Sequence, residues 1–265
     1  MSLALGFLLG TVIAYLSWRA GSLNRSGAWA AVLTGGLIFG LGGIAWAAVL
    51  LAFFISSSGL TRLFSGLKSS TGEKYAKGSR RDWGQVLANG SLAALLAVAA
   101  FLLPTETWPW AAFVGAMAAV TADTWATEIG VISSTPPRLI TNGRAVERGS
   151  SGGITILGYL AVAGGGLFIG SIAAIFNQST PFVLVFAALL AGLAGSTVDS
   201  LLGATVQAIY YCPVCQKETE RHPQHSCGTA TVHQRGWRWL NNDWVNFLCS
   251  VVGAGTAWAV LALLV

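Results

Sequence analysis

Charged residues are scarce in this chain of 265 residues. Asp, Glu, Lys and Arg together make up 9% of it, whereas hydrophobic residues make up 54%, and the mean hydropathy is +0.65. An average soluble domain is about 25% charged. The composition therefore excludes a soluble globular protein and indicates an integral membrane protein. The net charge of +5 does not indicate nucleic-acid binding, because the basic residues lie in loops between apolar runs.

The first apolar run, residues 2–18, lacks a basic flank before it and a small-residue cleavage pattern after it. A secretory signal needs both features, so we expect a retained helix. Five further runs also approach the ~20 residues that a membrane-spanning helix needs. They are 85–103, 109–130, 153–176, 181–208 and 244–265. A longer run, 27–58, is interrupted by glycines and could form one tilted helix or two shorter ones.

Lys and Arg are missing from the loops at 104–108 and 177–180, and all 15 of them lie in four other loops. Short cytoplasmic loops are enriched in these residues. The four basic loops share one side only if the 27–58 run crosses an even number of times. The prediction is a single integral membrane domain, 1–265, all-α and polytopic. It has about eight transmembrane or half-membrane helices, both termini non-cytoplasmic, and an inserted cytoplasmic loop at 209–242.

Basic residues are also missing from the apolar segments that carry three acids, Asp123, Glu128 and Asp199. A carboxylate at mid-bilayer costs roughly 2.5–3.5 kcal/mol on insertion scales, and such groups usually mark ion, proton or substrate sites. The neutralising charge must therefore come from a loop, a metal or protonation. In the predicted topology Asp123 and Asp199 lie about 10 and 14 Å from the cytoplasmic ends of their helices. We expect a site in the cytoplasmic half.

The acids occur within polar motifs. In TADTWATEIG, residues 121–130, Asp123 and Glu128 are five residues apart, so both reach one ion only if the helix is distorted or the ion is loosely held. In GSTVDSLLGATVQ, residues 195–207, Asp199 belongs to a polar stripe with a small-residue gap. The alternative role for both motifs is structural hydrogen bonding between helices.

Two basic loops have the composition of phosphate-binding segments. Lys68, Arg80 and Arg81 lie among glycines and serines in residues 59–84, a combination that suits phosphate oxygens. A topology signal lying on anionic headgroups is the alternative. The loop at 141–153 contains Asn142, Arg144 and Ser150 before an apolar run. It could form an anion-binding helix N-terminus, although it matches no Walker A pattern.

Asn241, Asn242, Asp243 and Asn246 lie where the last apolar run begins. Asn242 and Asn246 share a helix face and, with Asp243, could contact a metal or phosphate. Helix capping is the alternative role.

Cysteine is rare, yet three of the four cysteines lie in residues 212–227. Cys212, Cys215, His225 and Cys227 form the best ligand set for a tetrahedral zinc ion, with His222 in reserve. The predicted topology places this loop in the reducing cytosol, which disfavours a disulfide. The predicted role of zinc is to fold the loop.

Five motifs in this order resemble the DUF92 family, which includes TMEM-nineteen-like membrane proteins and the phytyl-phosphate kinases of plants and cyanobacteria. The motifs are SSSGL at 56–60, ADTWATEIG at 122–130, DSLLGATVQ at 199–207, the CPVC…HSCG loop and LNNDWVN at 240–246. The resemblance implies a kinase of prenyl-alcohol salvage. It would convert phytyl monophosphate to the diphosphate with a nucleoside triphosphate, CTP being the predicted donor, for tocopherol or phylloquinone synthesis.

With that resemblance, the candidate site residues fall into groups. Phosphoryl transfer between two anions mainly requires positioning and charge neutralisation, and Mg²⁺ usually binds one or two carboxylates plus substrate phosphates. We therefore assign Asp123, Glu128 and Asp199 to Mg²⁺, with Asn242 and Asp243 as supporting ligands. The predicted phosphate and substrate contacts are Ser57, Ser58, Lys68, Arg80, Arg81, Asn142, Arg144, Ser150 and Asn246.

The expected partners are a prenyl phosphate, a nucleoside triphosphate and the lipid bilayer of a bacterial or cyanobacterial cell or thylakoid membrane. Three other functions stay open. An ion-coupled transporter could also use intramembrane acids and glycine-broken helices. A cytidylyltransferase acting on a lipid phosphate would use the same acids and metal. A scaffold that recruits partners through the cysteine loop would leave the acids unexplained.

Overall fold

The computed structural model describes residues 2–66, 80–177 and 179–265, which are mostly helical. This part of the chain contains eight α-helices and a five-residue π-helical segment, Ile38–Gly42. The α-helices are α1 (Leu3–Arg19), α2 (Arg25–Leu37), α3 (Ile44–Leu63), α4 (Trp83–Leu102), α5 (Trp108–Gly130), α6 (Ile156–Ile175), α7 (Pro181–Thr205) and α8 (Asn242–Leu264).

The long apolar run at 27–58 forms two helices. The π-helical segment extends α2, and the chain then turns at Gly43, whose φ of +79° is in the left-handed region that favours glycine. Helix α3 begins at the next residue. Of the two arrangements that the sequence allowed, two shorter helices with a glycine break is the one that forms.

Five helices of the described chain are long and apolar enough to cross a membrane: α3, α4, α6, α7 and α8. Helix α1 is apolar but shorter, and the count of about eight spans stays a prediction. Helix α5 is the most enclosed, since every residue from 111 to 122 is buried. It contacts α3, α4, α6, α7 and α8. A helix shielded from lipid by neighbours needs less hydropathy, which explains how α5 accommodates two acids.

Small residues allow the helices around α5 to approach closely. A Cβ atom added at Gly115 of α5 would lie 2.3 Å from the carbonyl oxygen of Gly253 in α8. Such contacts let helix backbones pack tightly where lipid supplies no hydrophobic driving force. Close packing brings the acidic ends of α5 and α7 next to the beginning of α8.

The loops at one end of the bundle are joined to each other. The backbone N–H of Asn24 donates to the carbonyl of Arg81 at 3.0 Å, and the Arg62 guanidinium donates to Ser22 Oγ at 2.8 Å. Between α5 and α6, β1 (Arg138–Leu139) pairs with β2 (Gly153–Ile154). The segment at 19–26 and the described parts of the basic loop, 59–66 and 80–84, thus lie at the same end of the molecule.

The loop at 209–242 contains a three-stranded antiparallel sheet. Its strands are β3 (Ile209–Cys212), β4 (Lys217–Thr219) and β5 (Val232–Arg235), in the order β4-β3-β5. The Arg235 guanidinium donates to the carbonyl of Gly203 in α7 at 3.0 Å. This contact fixes the sheet against the end of the helical bundle.

Candidate functional site

A cavity of about 570 Å³ lies at this end of the bundle. It is formed where the last turns of α3, α5 and α7 meet the first turns of α4, α6 and α8. Eight of the sequence-predicted site residues line it, from five separate segments of the chain. They are Arg81, Asp123, Glu128, Ser150, Asp199, Asn242, Asp243 and Asn246.

Asp123 and Asp199 face each other across the α5–α7 contact. Asp123 Oδ1 accepts a hydrogen bond from Ser196 Oγ at 3.3 Å, and the two carboxylates interact electrostatically. Asp199 Oδ2 is buried and has no hydrogen-bond partner among residues 2–66, 80–177 and 179–265. A buried carboxylate oxygen without a donor is costly. Two close carboxylates with such an oxygen form a set that a divalent cation could satisfy.

Glu128 is 5% exposed and lies in a different environment from the two aspartates. Its Oε1 accepts a hydrogen bond from Thr61 Oγ1 of α3 at 2.8 Å. Its carboxylate also interacts electrostatically with the Arg81 guanidinium. The sequence allowed three sources of neutralising charge for the acids: a loop, a metal or protonation. For Glu128, the loop residue Arg81 supplies it.

Arg81 is held in place by contacts on both its backbone and its side chain. Its N–H donates to the carbonyl of Ser22 at 3.0 Å, and its guanidinium lies 5.4 and 5.7 Å from the ring centroids of Phe53 and Phe54. Burial lowers the pKa of Arg81 to about 10, and the nearby Glu128 carboxylate opposes that shift. The group is therefore still cationic at neutral pH.

Three helices begin at the cavity, through Gln85 in α4, Thr155 and Gly158 in α6, and Asn241 and Asn242 in α8. Thr155 caps α6 by accepting from the Gly158 N–H at 2.9 Å, and Asn241 caps α8 by accepting from the Trp244 N–H at 3.2 Å. The partial positive charge at a helix N-terminus favours anions. Asn241 thus has the helix-capping role that was the alternative for this segment. Asn242 and Asn246, like Asn241, line the cavity.

The glycine-rich segment before α6 forms part of the cavity wall. Gly149 and Gly152 have φ values of +79° and +80°, and a Cβ atom on Gly152 would lie 2.5 Å from that of Ala204 in α7. Glycine at 152 therefore allows the loop to pass against α7. That path places the backbone of residues 149–153 along the cavity.

Glu220, from the loop after β4, lines the cavity although the sequence did not single it out. Its Oε1 accepts hydrogen bonds from Ser151 Oγ and Gln207 Nε2, both at 2.8 Å. Its carboxylate also interacts electrostatically with Asp199. Gln207 belongs to the polar stripe of residues 195–207, just beyond the end of α7, but no motif marks Glu220. Its position depends on the folding of the cysteine loop.

Arg148 is a second base at the cavity. Its guanidinium donates to the carbonyls of Val131 and Ser133, at 2.9 and 2.6 Å. The described lining residues therefore include five carboxylic acids and two arginines, a formal charge of −3 when all are ionised. An anionic ligand would meet net repulsion here unless cations accompany it.

Five predicted phosphate or substrate contacts lie away from the cavity lining. Ser57 and Ser58 are in α3, and their buried hydroxyls have no hydrogen-bond partner within the described part of the chain. Arg80, Asn142 and Arg144 are exposed, and Asn142 Oδ1 accepts from the Arg144 N–H at 3.0 Å. Lys68 lies outside the described residues. Ligand binding by these six residues stays a prediction.

Cys212, Cys215, His225 and Cys227 come together as the sequence predicted. Their ligand atoms lie within 4.8 Å of one another. The Cys212 and Cys227 sulfurs are 3.6 Å apart, and His225 Nδ1 is 3.3 Å from the Cys227 sulfur. A tetrahedral site with 2.3 Å zinc–sulfur bonds has ligand–ligand distances of about 3.8 Å. The cluster therefore has the dimensions of a metal site.

Two nearby observations refine the metal-ligand set. His222, the reserve ligand, stacks on Tyr210 with ring centroids 4.4 Å apart and is not part of the cluster. Hydrogen bonds with Thr229 and His225 lower the pKa of Cys227 to about 6. A thiolate is the form that binds metals.

Comparison with known proteins agrees with this membrane architecture. The family model described as "Integral membrane protein DUF92" matches residues 8–254. The chain belongs to this family. Protein PGR of Arabidopsis thaliana is 32% identical over 91% of this chain and 90% of its own length. An uncharacterized membrane protein of Methanocaldococcus jannaschii is 32% identical, over 76% of this chain and 82% of its own.

A further relative in the family, "Protein VTE6, chloroplastic" of Arabidopsis thaliana, is 26% identical over 88% of this chain and 63% of its own length. No solved structure matches the chain. The family match at residues 8–254 covers the helices that carry the acids and all of the residues that line the cavity.

Proposed function

We propose that this protein is a membrane prenyl-phosphate kinase that uses a nucleoside triphosphate, with CTP as the expected donor and phytyl phosphate as the expected acceptor. An oxygen of the prenyl phosphate attacks the γ-phosphorus of the nucleotide. The bond from that phosphorus to the bridging β–γ oxygen breaks, so the products are prenyl diphosphate and nucleoside diphosphate.

The observation that carries the proposal is the pairing of carboxylates with helix N-termini around one cavity. The N–H groups at three helix N-termini can donate hydrogen bonds to phosphate oxygens. The acids of α5 and α7 can hold cations between them. Transfer between two anions depends mainly on such positioning and neutralisation. The net negative charge of the lining explains why nucleotide binding would need a metal ion.

Asp123 and Asp199 suit Mg²⁺, because their carboxylates interact electrostatically and no described residue donates a hydrogen bond to Asp199 Oδ2. When bound, Mg²⁺ would neutralise phosphate charge. Asn242 and Asp243 of α8 line the same cavity and are the expected supporting ligands. Glu128 was predicted to be a third metal ligand. That assignment stays a prediction, and the contacts of Glu128 with Thr61 and Arg81 also suit a role in holding Arg81.

Arg81 and the backbone of the loop before α6 are the proposed phosphate contacts. Arg81 is cationic and fixed by aromatic rings, so binding a phosphate there costs little side-chain entropy. Ser150 and Asn246 complete the polar wall. We place this end of the bundle in the cytoplasm, since the basic loops lie there and a nucleotide reaches the site from the aqueous side.

The cysteine–histidine cluster is the proposed site of one structural zinc ion. All four positions would be filled by protein ligands, which is typical of structural sites. The ion would stabilise the three-stranded sheet from which Glu220 reaches the cavity.

The proposal is tested by product analysis of the purified protein in nanodiscs. Phytyl phosphate and Mg²⁺ are incubated in turn with CTP, ATP and GTP, and products are identified by mass spectrometry. We expect phytyl diphosphate and a nucleoside diphosphate. Release of pyrophosphate with a cytidylylated lipid would establish the cytidylyltransferase instead. Ion flux into liposomes without nucleotide, and no lipid product, would support a transporter.

A further inference from the structure

A second, smaller cavity of about 80 Å³ lies among α1, α2, α3 and α4. Its walls are mainly apolar, with glycine and alanine on α1 and α2. Its largest apolar side chains are Phe39 of the π-helical segment and Leu50, Leu51, Phe53 and Phe54 of α3. We refer to this cavity as the apolar groove.

The apolar groove adjoins the polar cavity through three shared residues. Arg81, Gln85 and Asn89 line both. Gln85 and Asn89 are one turn apart on the same face of α4. The two cavities therefore meet along a short polar boundary. The proposed phosphate-binding groups lie on one side of it, and apolar side chains lie on the other.

Arg81 is oriented for an amphipathic ligand at this boundary. The phenylalanine rings beneath its guanidinium, Phe53 and Phe54, belong to the apolar groove, while its charge interacts with Glu128 of the polar cavity. A phosphate bound to Arg81 would have its ester carbon next to those rings. A nucleoside triphosphate has no alkyl chain to place against such a surface.

The size of the apolar groove limits what it can hold. A water-sized group needs about 10–15 Å³ of such a cavity. The apolar groove, at about 80 Å³, therefore accepts roughly five to eight groups of this size. That is about one isoprene unit of five carbons. A longer tail must continue beyond the groove into the surrounding lipid.

We propose that the apolar groove binds the first isoprene unit of the acceptor, with the phosphate of the same molecule on Arg81. This assignment rests on the proposed kinase function for the identity of the acceptor. On this assignment, the acceptor binds on the α1–α4 side of the site and the nucleotide binds on the α5–α8 side.

The test is photolabelling of the full chain in nanodiscs with a prenyl phosphate that carries a diazirine in its first isoprene unit, without nucleotide. We expect label on peptides of α2, α3 and α4. A Gly35→Leu variant should lower that labelling about tenfold, the scale of steric discrimination in apolar pockets. A Cβ atom at Gly35 meets Phe39 and Gly10 at ordinary contact distances of 3.9 and 4.0 Å, so the larger side chain fills the groove.

Gly255→Leu is the matched control, because position 255 is exposed on α8 and a Cβ atom there meets nothing within 4 Å. It should label like wild type. Ala31→Leu, on another part of the groove wall, repeats the test if Gly35→Leu does not fold. Label confined to α6 or α7, equal labelling of blocked and control variants, or no labelling of the wild type would overturn the assignment.

Kinetics separate this inference from the proposed function. For an active kinase, Gly35→Leu should raise KM for phytyl phosphate about tenfold and leave KM for the nucleotide unchanged. If no phosphate is transferred but label still maps to the apolar groove, the kinase fails and the lipid site stands. If transfer occurs and the label maps elsewhere, the kinase stands and the lipid site fails.

Discussion

The two cavities that meet at Arg81 differ in size, charge and helix composition. The polar cavity is about 570 Å³, draws its acids from α5, α7, α8 and the cysteine loop, and has an excess of negative charge. The apolar groove is about 80 Å³ and is bounded by α1–α4. The polar cavity has both the larger volume and the charged groups. It is therefore the one that we assign to the nucleotide and the phosphates in the proposed function.

Under the proposed function, this difference would let one protein join a water-soluble donor to a lipid-soluble acceptor. Charges need close, fixed partners in a low-dielectric setting, and the tightly packed bundle around α5 provides them. A prenyl tail gains little by leaving lipid for protein, since lipid tails are about as apolar as leucine. The apolar groove can therefore be small and needs to recognise only the end near the phosphate.

The largest effect is expected from the aspartates of the polar cavity. Asp123→Asn and Asp199→Asn should each lower kcat for phosphate transfer by about 10²–10³-fold, the usual cost of removing one electrostatic group at a reacting centre. Product formation under saturating substrates measures this. Glu106→Gln, at an exposed acid in the loop between α4 and α5, is the control and should match wild type. Near-normal turnover of both aspartate variants would remove the acids from the mechanism.

The next largest effect is on binding of the prenyl phosphate, and it should distinguish Arg81 from its neighbour Arg80. Arg81→Gln should weaken binding of the prenyl phosphate about 10–100-fold, because a charged hydrogen bond contributes roughly 1.5–3 kcal/mol. Arg80→Gln should have the smaller effect, since Arg80 is exposed and lines neither cavity. Initial rates over a range of acceptor concentrations give both KM values. Equal losses in the two variants would mean that the loop attracts phosphates only by its overall charge.

The cysteine cluster should influence the polar cavity indirectly. Cys212→Ser should abolish stoichiometric zinc binding and lower activity about tenfold, within the range seen when groups supporting a site are lost. The physical reason is the loss of the sheet that positions Glu220. Zinc content by mass spectrometry and the thermal midpoint check this. His222→Ala, outside the cluster, should retain zinc; full activity of metal-free Cys212→Ser would show that the sheet is dispensable.

The smallest effect concerns the length of the acceptor. Prenyl phosphates longer than one isoprene unit should differ from each other in kcat/KM by less than about threefold, because the added carbons stay in lipid. Acceptors of ten to twenty carbons, compared at equal concentration in the membrane, provide the measurement. A steep rise of kcat/KM up to twenty carbons would mean that the protein encloses the whole tail.

Much of this arrangement could be predicted from the sequence, because it follows from hydropathy and charge. The lack of bases around Asp123 and Asp199 indicated a shared site, and the distribution of Lys and Arg predicted the break in the 27–58 run. Arg81 and Arg80 could not be distinguished, since neighbouring loop residues share the same composition and only the fold decides which one points inward. Glu220 could not be found, because long-range contacts with Ser151 and Gln207 place it.

Binding of Mn²⁺, a paramagnetic substitute for Mg²⁺, tests most directly whether the carboxylates of α5 and α7 share a metal. Electron paramagnetic resonance of the protein in nanodiscs with a non-hydrolysable CTP analogue would count the bound ions. We expect nucleotide-dependent binding in the wild type and in Glu106→Gln, and its loss in an Asp123→Asn, Asp199→Asn double variant. Unchanged Mn²⁺ binding in the double variant would contradict a shared metal site.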